Sequence, residues 1–218
     1  LVKFAGGGNR LWATYYGGTN FDFGQSVATD AVGNVYLSGS TTSATGIASG
    51  GFQNTYGGGA DDAFLVKFDP TGARLWATYY GGTSNDAGAS VATDVAGNVF
   101  LAGYTESPTN IASGGFQNAY GGVGDTFLVK FDATTGARLW STYYGGTGIE
   151  EIEPDALATD AAGNVYLVGD TYSSNTGNVI ASGGFQNSLV VTENQMLLKF
   201  DATGNRLCAT YYGRGGIT

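Results

Sequence analysis

The sequence predicts an all-β protein made of β-propeller-type repeats, with four-stranded antiparallel blades and about 3.5 blades in the chain. Three observations lead to this prediction. One pattern recurs along the whole chain, each repeat contains short apolar runs separated by turn residues, and side-chain size grades from small to large between these runs. With 38 glycines, 13% aromatic residues and 12% charged residues, the composition is typical of a folded chain rich in turns and not of a disordered one.

The recurring pattern opens with Leu-Val-Lys-Phe. It begins at Leu1, Leu65 and Leu128, and in altered form at Leu197. Repetition at a nearly constant spacing indicates units that each need their neighbours to bury their faces. Leu1 lies inside a unit, so we expect the chain to be a processed product or a portion of a longer protein.

Four apolar runs in the second unit predict four strands that form two hairpins. These runs are residues 64–68, 74–80, 90–93 and 99–103. The turn Asp69-Pro70-Thr71-Gly72 joins the first pair, because proline fixes φ at the second turn position and glycine accepts a positive φ. Residues 94–98 form the turn between the second pair.

Side-chain size predicts the order of these strands within a blade. Ser-Val-Ala-Thr at 90–93 is narrow and fits the crowded centre, whereas the bulky run at 74–80 fits the wide periphery. From the centre outward we therefore predict Ser-Val-Ala-Thr, then the Asn-Val-Tyr-Leu type of strand, then Leu-Val-Lys-Phe, and finally Leu-Trp-Ala-Thr-Tyr-Tyr.

The units together predict fourteen strands. We expect residues 1–18 to form an outer hairpin, or half-blade, and residues 19–82, 83–146 and 147–218 to form full blades, the last with longer loops. Fourteen is not a multiple of four, so the strands cannot all belong to complete four-stranded blades. The incomplete terminal units should therefore meet further repeats of the same parent chain or other copies docked head to tail. The candidate assembly residues are Leu1, Val2, Phe4, Trp12, Tyr15, Cys208, Tyr211 and Tyr212.

Several separated motifs carry a resemblance to a known family. The run Asp-Ala-Phe-Leu-Val-Lys-Phe-Asp-Pro-Thr-Gly at 62–72, the run Trp-Ala-Thr-Tyr-Tyr-Gly-Gly at 76–82 and the Gly-Phe-Gln-Asn segments at 51–54, 115–118 and 184–187 resemble the bacterial SBBP-type β-propeller repeat family. The resemblance implies a propeller in a secreted or surface-anchored bacterial protein, often one module among several. It implies no shared catalytic residues.

The residues themselves give little support for catalysis or cofactor binding. The chain has no histidine, which excludes a His-based catalytic triad and a His-ligated metal. Asp30, Asp94 and Asp160 stand in Asp-x-x-Gly-Asn, but one Asp and one Asn are too few oxygen ligands for calcium, so we interpret them as turn formers. We expect no catalytic residue, no cofactor and no metal, with a glycosidase-like carboxylate pair as the alternative.

The charge of the chain bears on its partners. A net charge of −9 disfavours nucleic acid and an anionic membrane surface, and no apolar run has the length needed for membrane insertion. The densest acidic cluster, Glu150, Glu151, Glu153 and Asp155, lies in an insertion of the last unit beside Pro154. We expect a solvated loop there, with a bound cation or a basic partner as weaker alternatives.

Tyrosine pairs end each predicted outer strand. They are Tyr15-Tyr16, Tyr79-Tyr80, Tyr143-Tyr144 and Tyr211-Tyr212. Alternation along a strand sends one ring of each pair to each blade face, where it fills the gap between blades; stacking on sugar rings is the alternative. Where three units have Trp12, Trp76 and Trp140, the last has Cys208, so we expect that blade to be loosely packed, terminal or covered by something else.

The expected function is that of an extracellular or cell-surface bacterial structural protein that self-associates through its terminal repeats into an oligomer or filament. We expect it not to be an enzyme. The alternative is a glycan- or ligand-binding propeller module of a larger surface protein.

Overall fold

A computed structural model describes residues 1–176, 179–189 and 193–213, and these ranges contain fifteen β-strands. The strands are β1 (Val2–Phe4), β2 (Arg10–Ala13), β3 (Asp22–Thr29), β4 (Val35–Thr41), β5 (Asp62–Phe68), β6 (Arg74–Tyr80), β7 (Asp86–Thr93), β8 (Asn98–Thr105), β9 (Asp125–Asp132), β10 (Arg138–Tyr144), β11 (Glu150–Glu151), β12 (Leu157–Thr159), β13 (Val165–Thr171), β14 (Asn194–Phe200) and β15 (Arg206–Tyr212). No helix in these ranges is long and apolar enough to cross a membrane.

The strands form four antiparallel sheets. The first is the hairpin β1–β2, the second contains β3 to β6, the third β7 to β10, and the fourth β11 to β15. Within each sheet the strands are hydrogen-bonded in sequence order, so the predicted order of the strand types is observed. The prediction of an all-β protein with four-stranded antiparallel sheets is confirmed.

The fourth sheet corrects the predicted number of strands. Its innermost strand is divided into β11 and β12, which both pair with β13. The residues between them include Pro154, which has no amide proton to give to a sheet, and Asp155, whose φ is +61°. The insertion therefore interrupts one predicted strand, and fifteen strands result instead of fourteen.

The hairpin turns follow the predicted chemistry. Asp69 Oδ1 accepts hydrogen bonds from the amides of Thr71 and Ala73 at 2.8 and 3.0 Å, and Gly72 has a φ of +91°. Asp160 acts in the same way, and the side-chain hydrogen bond from Asn164 lowers its pKa to about 2. Each of these carboxylates is occupied by its own turn.

The tyrosine pairs of the second and third sheets lie in the core between sheets. Tyr79 and Tyr80 are both buried, and their rings point to opposite faces of the second sheet. The Tyr79 hydroxyl donates to the Ser43 carbonyl at 2.8 Å, while the Tyr80 ring lies 5.0 Å from that of Phe127 in the third sheet. Tyr79, Tyr80, Tyr143 and Tyr144 are therefore covered by protein and offer no ring for stacking on a sugar, whereas Tyr15 and Tyr212 of the terminal pairs are exposed.

Tryptophans connect each sheet to the next one. The Trp76 Nε1 donates to the Ala133 carbonyl at 2.9 Å, and the Trp12 Nε1 donates to the Pro70 carbonyl at 3.0 Å. Each ring lies against a turn glycine of the next sheet; at Gly72 a Cβ would come within 2.8 Å of the Trp12 ring. Cys208 occupies this position in the fourth sheet and has no indole N–H to donate to a neighbouring sheet.

The innermost strands contact one another near the centre. The Val91 amide donates to Ser26 Oγ at 3.3 Å, and the Leu157 amide donates to Ser90 Oγ at 3.1 Å, which links the second, third and fourth sheets. Ser26 also donates to Asp155 Oδ1 at 2.7 Å. The insertion of the fourth sheet therefore reaches back to the second.

Candidate functional site

The predicted assembly residues of the first hairpin are divided between two environments. Leu1 and Trp12 pack against the core of the second sheet and do not form an open surface. Val2, Phe4 and Tyr15 lie on the opposite side of the hairpin and are exposed. Alternation along β1 and β2 explains the difference, since neighbouring side chains point to opposite faces.

The predicted assembly residues of the last strand are likewise divided. Tyr211 is fully buried, and its hydroxyl donates to the Ser173 carbonyl at 2.9 Å, so Tyr211 is not available as an assembly contact. Tyr212 points the other way and is exposed. Cys208 is a half-buried free thiol on the same side of the sheet as Tyr212.

An exposed apolar surface covers the outward side of the fourth sheet. We call it the last face, and it consists of Val168, Phe185, Leu197 and Tyr212. The counterparts of Leu197 and Tyr212 in the third sheet, Leu128 and Tyr144, are 0% exposed, whereas Leu197 is 42% and Tyr212 70% exposed. Sequence reasoning missed Val168 and Leu197, although strict alternation along their strands marks them as facing the same way as Tyr212.

A second exposed apolar surface lies at the other end of the stack. We call it the first face, and it consists of Val2, Phe4, Tyr15 and Val27. Val27 is 50% exposed, whereas Val91 in the same place on the third sheet is 5% exposed beneath the second sheet. The hairpin covers only the outer half of the second sheet, which leaves Val27 open.

The predicted acidic loop is not a single solvated cluster. Glu150 is fully buried, where its carboxylate accepts hydrogen bonds from Thr171 Oγ1 at 2.7 Å and from the Gly146 amide at 2.9 Å. Glu150 corresponds to Asp86, which binds Thr105 and Gly82 in the same way. The expectation of a solvated loop is therefore wrong for Glu150, because it anchors the start of its sheet.

The other acidic residues of this loop serve no common site. Glu151 and Glu153 are exposed, and Asp155 binds Ser26. In the part of the chain that the structure describes, no group of three or more acidic, histidine or cysteine side chains could hold a metal ion. Of the weak candidate set Glu150, Glu151, Glu153 and Asp155, Glu150 is thus buried, Asp155 is hydrogen-bonded to Ser26, and Glu151 and Glu153 are exposed.

A buried carboxyl at the start of β5 or β9, in the preceding sheet, faces the anchors Asp86 and Glu150 respectively. A Cβ at Gly81 would lie 2.7 Å from Asp62 Oδ1 and 2.8 Å from Asp86 Oδ2, so the two carboxyl groups flank this glycine. Burial raises the pKa of Asp62 to about 7 and that of Asp86 to about 6. Asp125 repeats the arrangement beside Glu150, and burial raises its pKa to about 7.

Cavities open at the rim above these carboxyl pairs. The one between the second and third sheets has a volume of about 490 Å³ and includes Phe52, Gly81, Asn110 and Arg138 in its lining. The corresponding cavity between the third and fourth sheets has a volume of about 380 Å³. In the first, the Arg138 guanidinium lies 4.4 Å above the Phe52 ring. The rim thus offers polar groups beside a partly covered aromatic ring.

Comparison with known proteins identifies the repeats. Residues 11–46, 75–112 and 139–175, together about half of the chain, match the family model described as SBBP, a β-propeller repeat. An uncharacterized WD repeat-containing protein of Acanthamoeba polyphaga mimivirus is 26% identical and matches 78% of this chain. Regulatory protein FlaEY of Caulobacter vibrioides is 30% identical over 123 residues, 56% of this chain. The chain spans only 14% and 13% of the length of these two relatives.

Among solved structures, a protein of unknown function from Bacteroides caccae matches 96% of this chain and 73% of its own chain at 11% identity. The TM-score is 0.27, which is too low to carry an argument about fold or function.

Proposed function

The chain belongs to the SBBP β-propeller repeat family, and we propose that it is a structural scaffold whose last face docks onto the first face of another copy. Repetition of this contact builds an oligomer or filament, because the two surfaces differ and the contact is head to tail. The observation that carries the proposal is the exposure of apolar positions whose counterparts are buried between consecutive sheets.

The contacts inside the chain supply the pattern for this association. Between the third and fourth sheets, Leu128 and Tyr144 pack in one apolar cluster with Leu157 and Leu198. On the last face, Leu197 and Tyr212 present the same side chains as Leu128 and Tyr144. On the first face, Val27 presents an apolar side chain in the place of Leu157. The two end faces are therefore complementary in the way that consecutive sheets are.

One missing side chain sets the strength of the contact. Trp140 donates from Nε1 to the Ala202 carbonyl at 3.1 Å across the junction, and Cys208 cannot make this bond from the last face. We expect the association to be weaker than the packing inside the chain, and hence to depend on concentration.

The test uses two variants that each block one face. Val27→Glu places a carboxylate on the first face and Leu197→Glu places one on the last face, and burial of either charge against an apolar partner is costly. We expect sedimentation velocity to show large species for the parent chain and small species for each variant. An equimolar mixture should recover dimers, because each variant keeps one working face.

The matched control is Val95→Glu, which adds the same charge at an exposed turn that belongs to neither face. It should assemble like the parent chain. A parent chain that stays monomeric at every concentration, or a mixture that forms no dimers, overturns the proposal.

The rim cavities favour glycan binding as a second candidate function. Asn110 and Arg138 bring an amide and a guanidinium to one cavity of about 490 Å³. A glycan array with the parent chain and an Asn110→Ala variant tests this candidate. Glycan binding is supported if the parent chain binds one class of glycan and the Asn110→Ala variant does not. It is contradicted if the parent chain binds no glycan on the array.

The extracellular or cell-surface location is part of the same proposal. We expect cell fractionation to place the protein in the medium or the envelope, and recovery from the cytoplasm would contradict this expectation.

A further inference from the structure

Two cavities in corresponding places of the fold differ in the polarity of their lining. The first, which we call the polar cavity, lies between the second and third sheets, has a volume of about 490 Å³ and includes Thr55 and Asn110 in its lining. The other lies between the third and fourth sheets, has a volume of about 380 Å³ and has Ala119 and Val179 at the corresponding places. Both cavities lie between consecutive sheets of this chain, so neither is created by an end of the sequence.

Asn110 brings an amide group to the polar cavity from a backbone conformation that favours glycine. Its φ is +71°, and the residue at the same place in the preceding repeat is Gly46, with a φ of +88°. A residue other than glycine costs conformational free energy in this region, and such residues are concentrated at ligand sites. The side-chain amide of Asn110 is exposed and makes no hydrogen bond with the residues that the structure describes. Its donors and its acceptor are therefore available to a bound molecule.

Arg138 is held in a fixed orientation at the wall of the polar cavity. Its Nη1 donates to the Ile111 carbonyl at 3.3 Å, and its guanidinium lies 4.4 Å from the centroid of the Phe52 ring. Because a guanidinium carries several N–H donors, this arrangement leaves donors for a bound molecule. The Phe52 ring is 40% exposed and lines the same cavity, so it adds an apolar surface beside these polar groups.

The charges around the polar cavity disfavour a charged ligand. Gly57 and Gly81 form part of the lining, and two carboxyl groups lie behind them. Asp62 Oδ2 accepts a hydrogen bond from the Gly57 amide, and a Cβ at Gly81 would lie 2.8 Å from Asp86 Oδ2. When ionised, these carboxylates repel an anion, whereas the Arg138 guanidinium repels a cation. An uncharged ligand avoids both repulsions.

A neutral sugar ring has the chemistry that this lining requires. Sugar hydroxyl groups both donate and accept hydrogen bonds, which suits the Asn110 amide, the Thr55 hydroxyl and the Arg138 donors. The C–H face of the ring is apolar and can pack on Phe52. The cavity volume of about 490 Å³ lies within the range of about 300 to 1,000 Å³ that is typical of small-molecule sites.

We propose that the polar cavity binds a neutral sugar unit of a glycan, and that the cavity between the third and fourth sheets does not. The proposal rests on glycan binding, the second candidate function, and adds the charge class of the ligand and the residues that separate the two cavities. Asn110 and Thr55 bind the sugar hydroxyls, Arg138 donates to a further sugar oxygen, and Phe52 packs against the C–H face. The site does not depend on association through the first and last faces.

The experiment is a glycan array probed with the labelled full chain at pH 8, above the pKa values of about 7 for Asp62 and about 6 for Asp86. The array carries oligomers of glucose, galactose and mannose, each paired with the oligomer of the corresponding uronic acid. We expect the chain to be retained on a neutral oligomer and not on its acidic counterpart. Equal retention on both members of a pair, or retention on acidic oligomers alone, overturns this inference and leaves glycan binding in place. Retention on none of the oligomers overturns both.

Protein variants place the sugar in the polar cavity. Asn110→Gly and Thr55→Ala should each weaken binding of the retained oligomer by about three- to tenfold in isothermal titration calorimetry, because each removes one polar partner. Asn110→Gly should keep the thermal stability of the parent chain, since Gly46 adopts the same conformation in the preceding repeat. The matched control Thr176→Ala removes a hydroxyl from the other cavity and should leave the affinity unchanged. Unchanged affinity of both polar-cavity variants, or weaker binding by Thr176→Ala, overturns the assignment of the site.

Discussion

Substitution of Asp62 by asparagine should remove part of the pH dependence of the free energy of unfolding. Asp62 is fully buried, its Oδ2 accepts from the Gly57 amide, and its Oδ1 accepts no hydrogen bond from the described residues. Burial, aided by the negative charge of Asp86, raises the pKa of Asp62 from 3.8 to about 7. Between pH 3.8 and about pH 7, Asp62 is therefore protonated in the folded state and deprotonated in the unfolded state.

The sign of the effect follows from this difference in proton binding. Below pH 4 both states are protonated, and as the pH rises to about 7 the free energy of unfolding falls, because the folded state must give up a proton that it holds more tightly. A pKa difference of this size is worth about 4 kcal/mol at full burial. Since Gly57 and Gly81 line a cavity open to water, screening leaves an expected ~1–2 kcal/mol.

Urea denaturation at pH 5 and pH 8 measures this difference directly. Asp62→Asn should lose less stability between the two pH values than the parent chain, by about 1–2 kcal/mol, because asparagine carries no charge at either. The chain has no histidine, so no imidazole titrates in this range. Asn194 occupies the same place in the fourth sheet, which indicates that the site accepts the substitution.

The matched control is Glu153→Gln, which removes a carboxylate from an exposed position. It should keep the pH dependence of the parent chain. A parent chain that becomes more stable from pH 5 to pH 8, or an Asp62→Asn variant with an unchanged pH dependence, would refute the reasoning.

Two further predictions concern the connections between sheets and the close approach of Gly51 to Ala77. Trp76→Phe keeps an aromatic ring but leaves the Ala133 carbonyl without its indole donor, and urea denaturation should show a loss of about 1–2 kcal/mol; no loss would mean that this bond contributes nothing. Gly51→Ala should cost about 1–3 kcal/mol, because its Cβ would lie 2.7 Å from the Ala77 carbonyl oxygen, whereas Gly7→Ala, with open space around it, should cost less than ~0.5 kcal/mol. Equal thermal stability of these two glycine variants would contradict the proposed close approach.

The parts of the fold that the sequence predicts are those that depend on local chemistry. Strand order follows from the small size of Ser-Val-Ala-Thr, and the turn at Asp69 follows from hydrogen bonds within five residues. Both kinds of information are contained in a short stretch of chain.

The burial of Glu150 could be predicted only by comparison with the other repeats, because the acidic composition of its own loop favours exposure. Glu150 stands among other acidic residues, which favours a solvated interpretation, yet it follows Gly146 by the same spacing with which Asp86 follows Gly82 and Asp22 follows Gly18. Alignment of these glycines would have identified the anchor. The exposure of Leu197 could not be predicted from its own repeat. Its counterpart Leu128 is buried by the neighbouring sheet, and the sequence of one repeat does not say whether such a neighbour is present.

The hydrogen bond between Ser26 and Asp155 has a mechanical consequence. In a stack where each unit touches only its neighbours, the last unit can detach and leave the second undisturbed. Here the fourth sheet is also tied to the second, across 129 positions of sequence. A pulling force applied at the last sheet would therefore be shared by two sheets, and the units should come apart together instead of peeling away one by one.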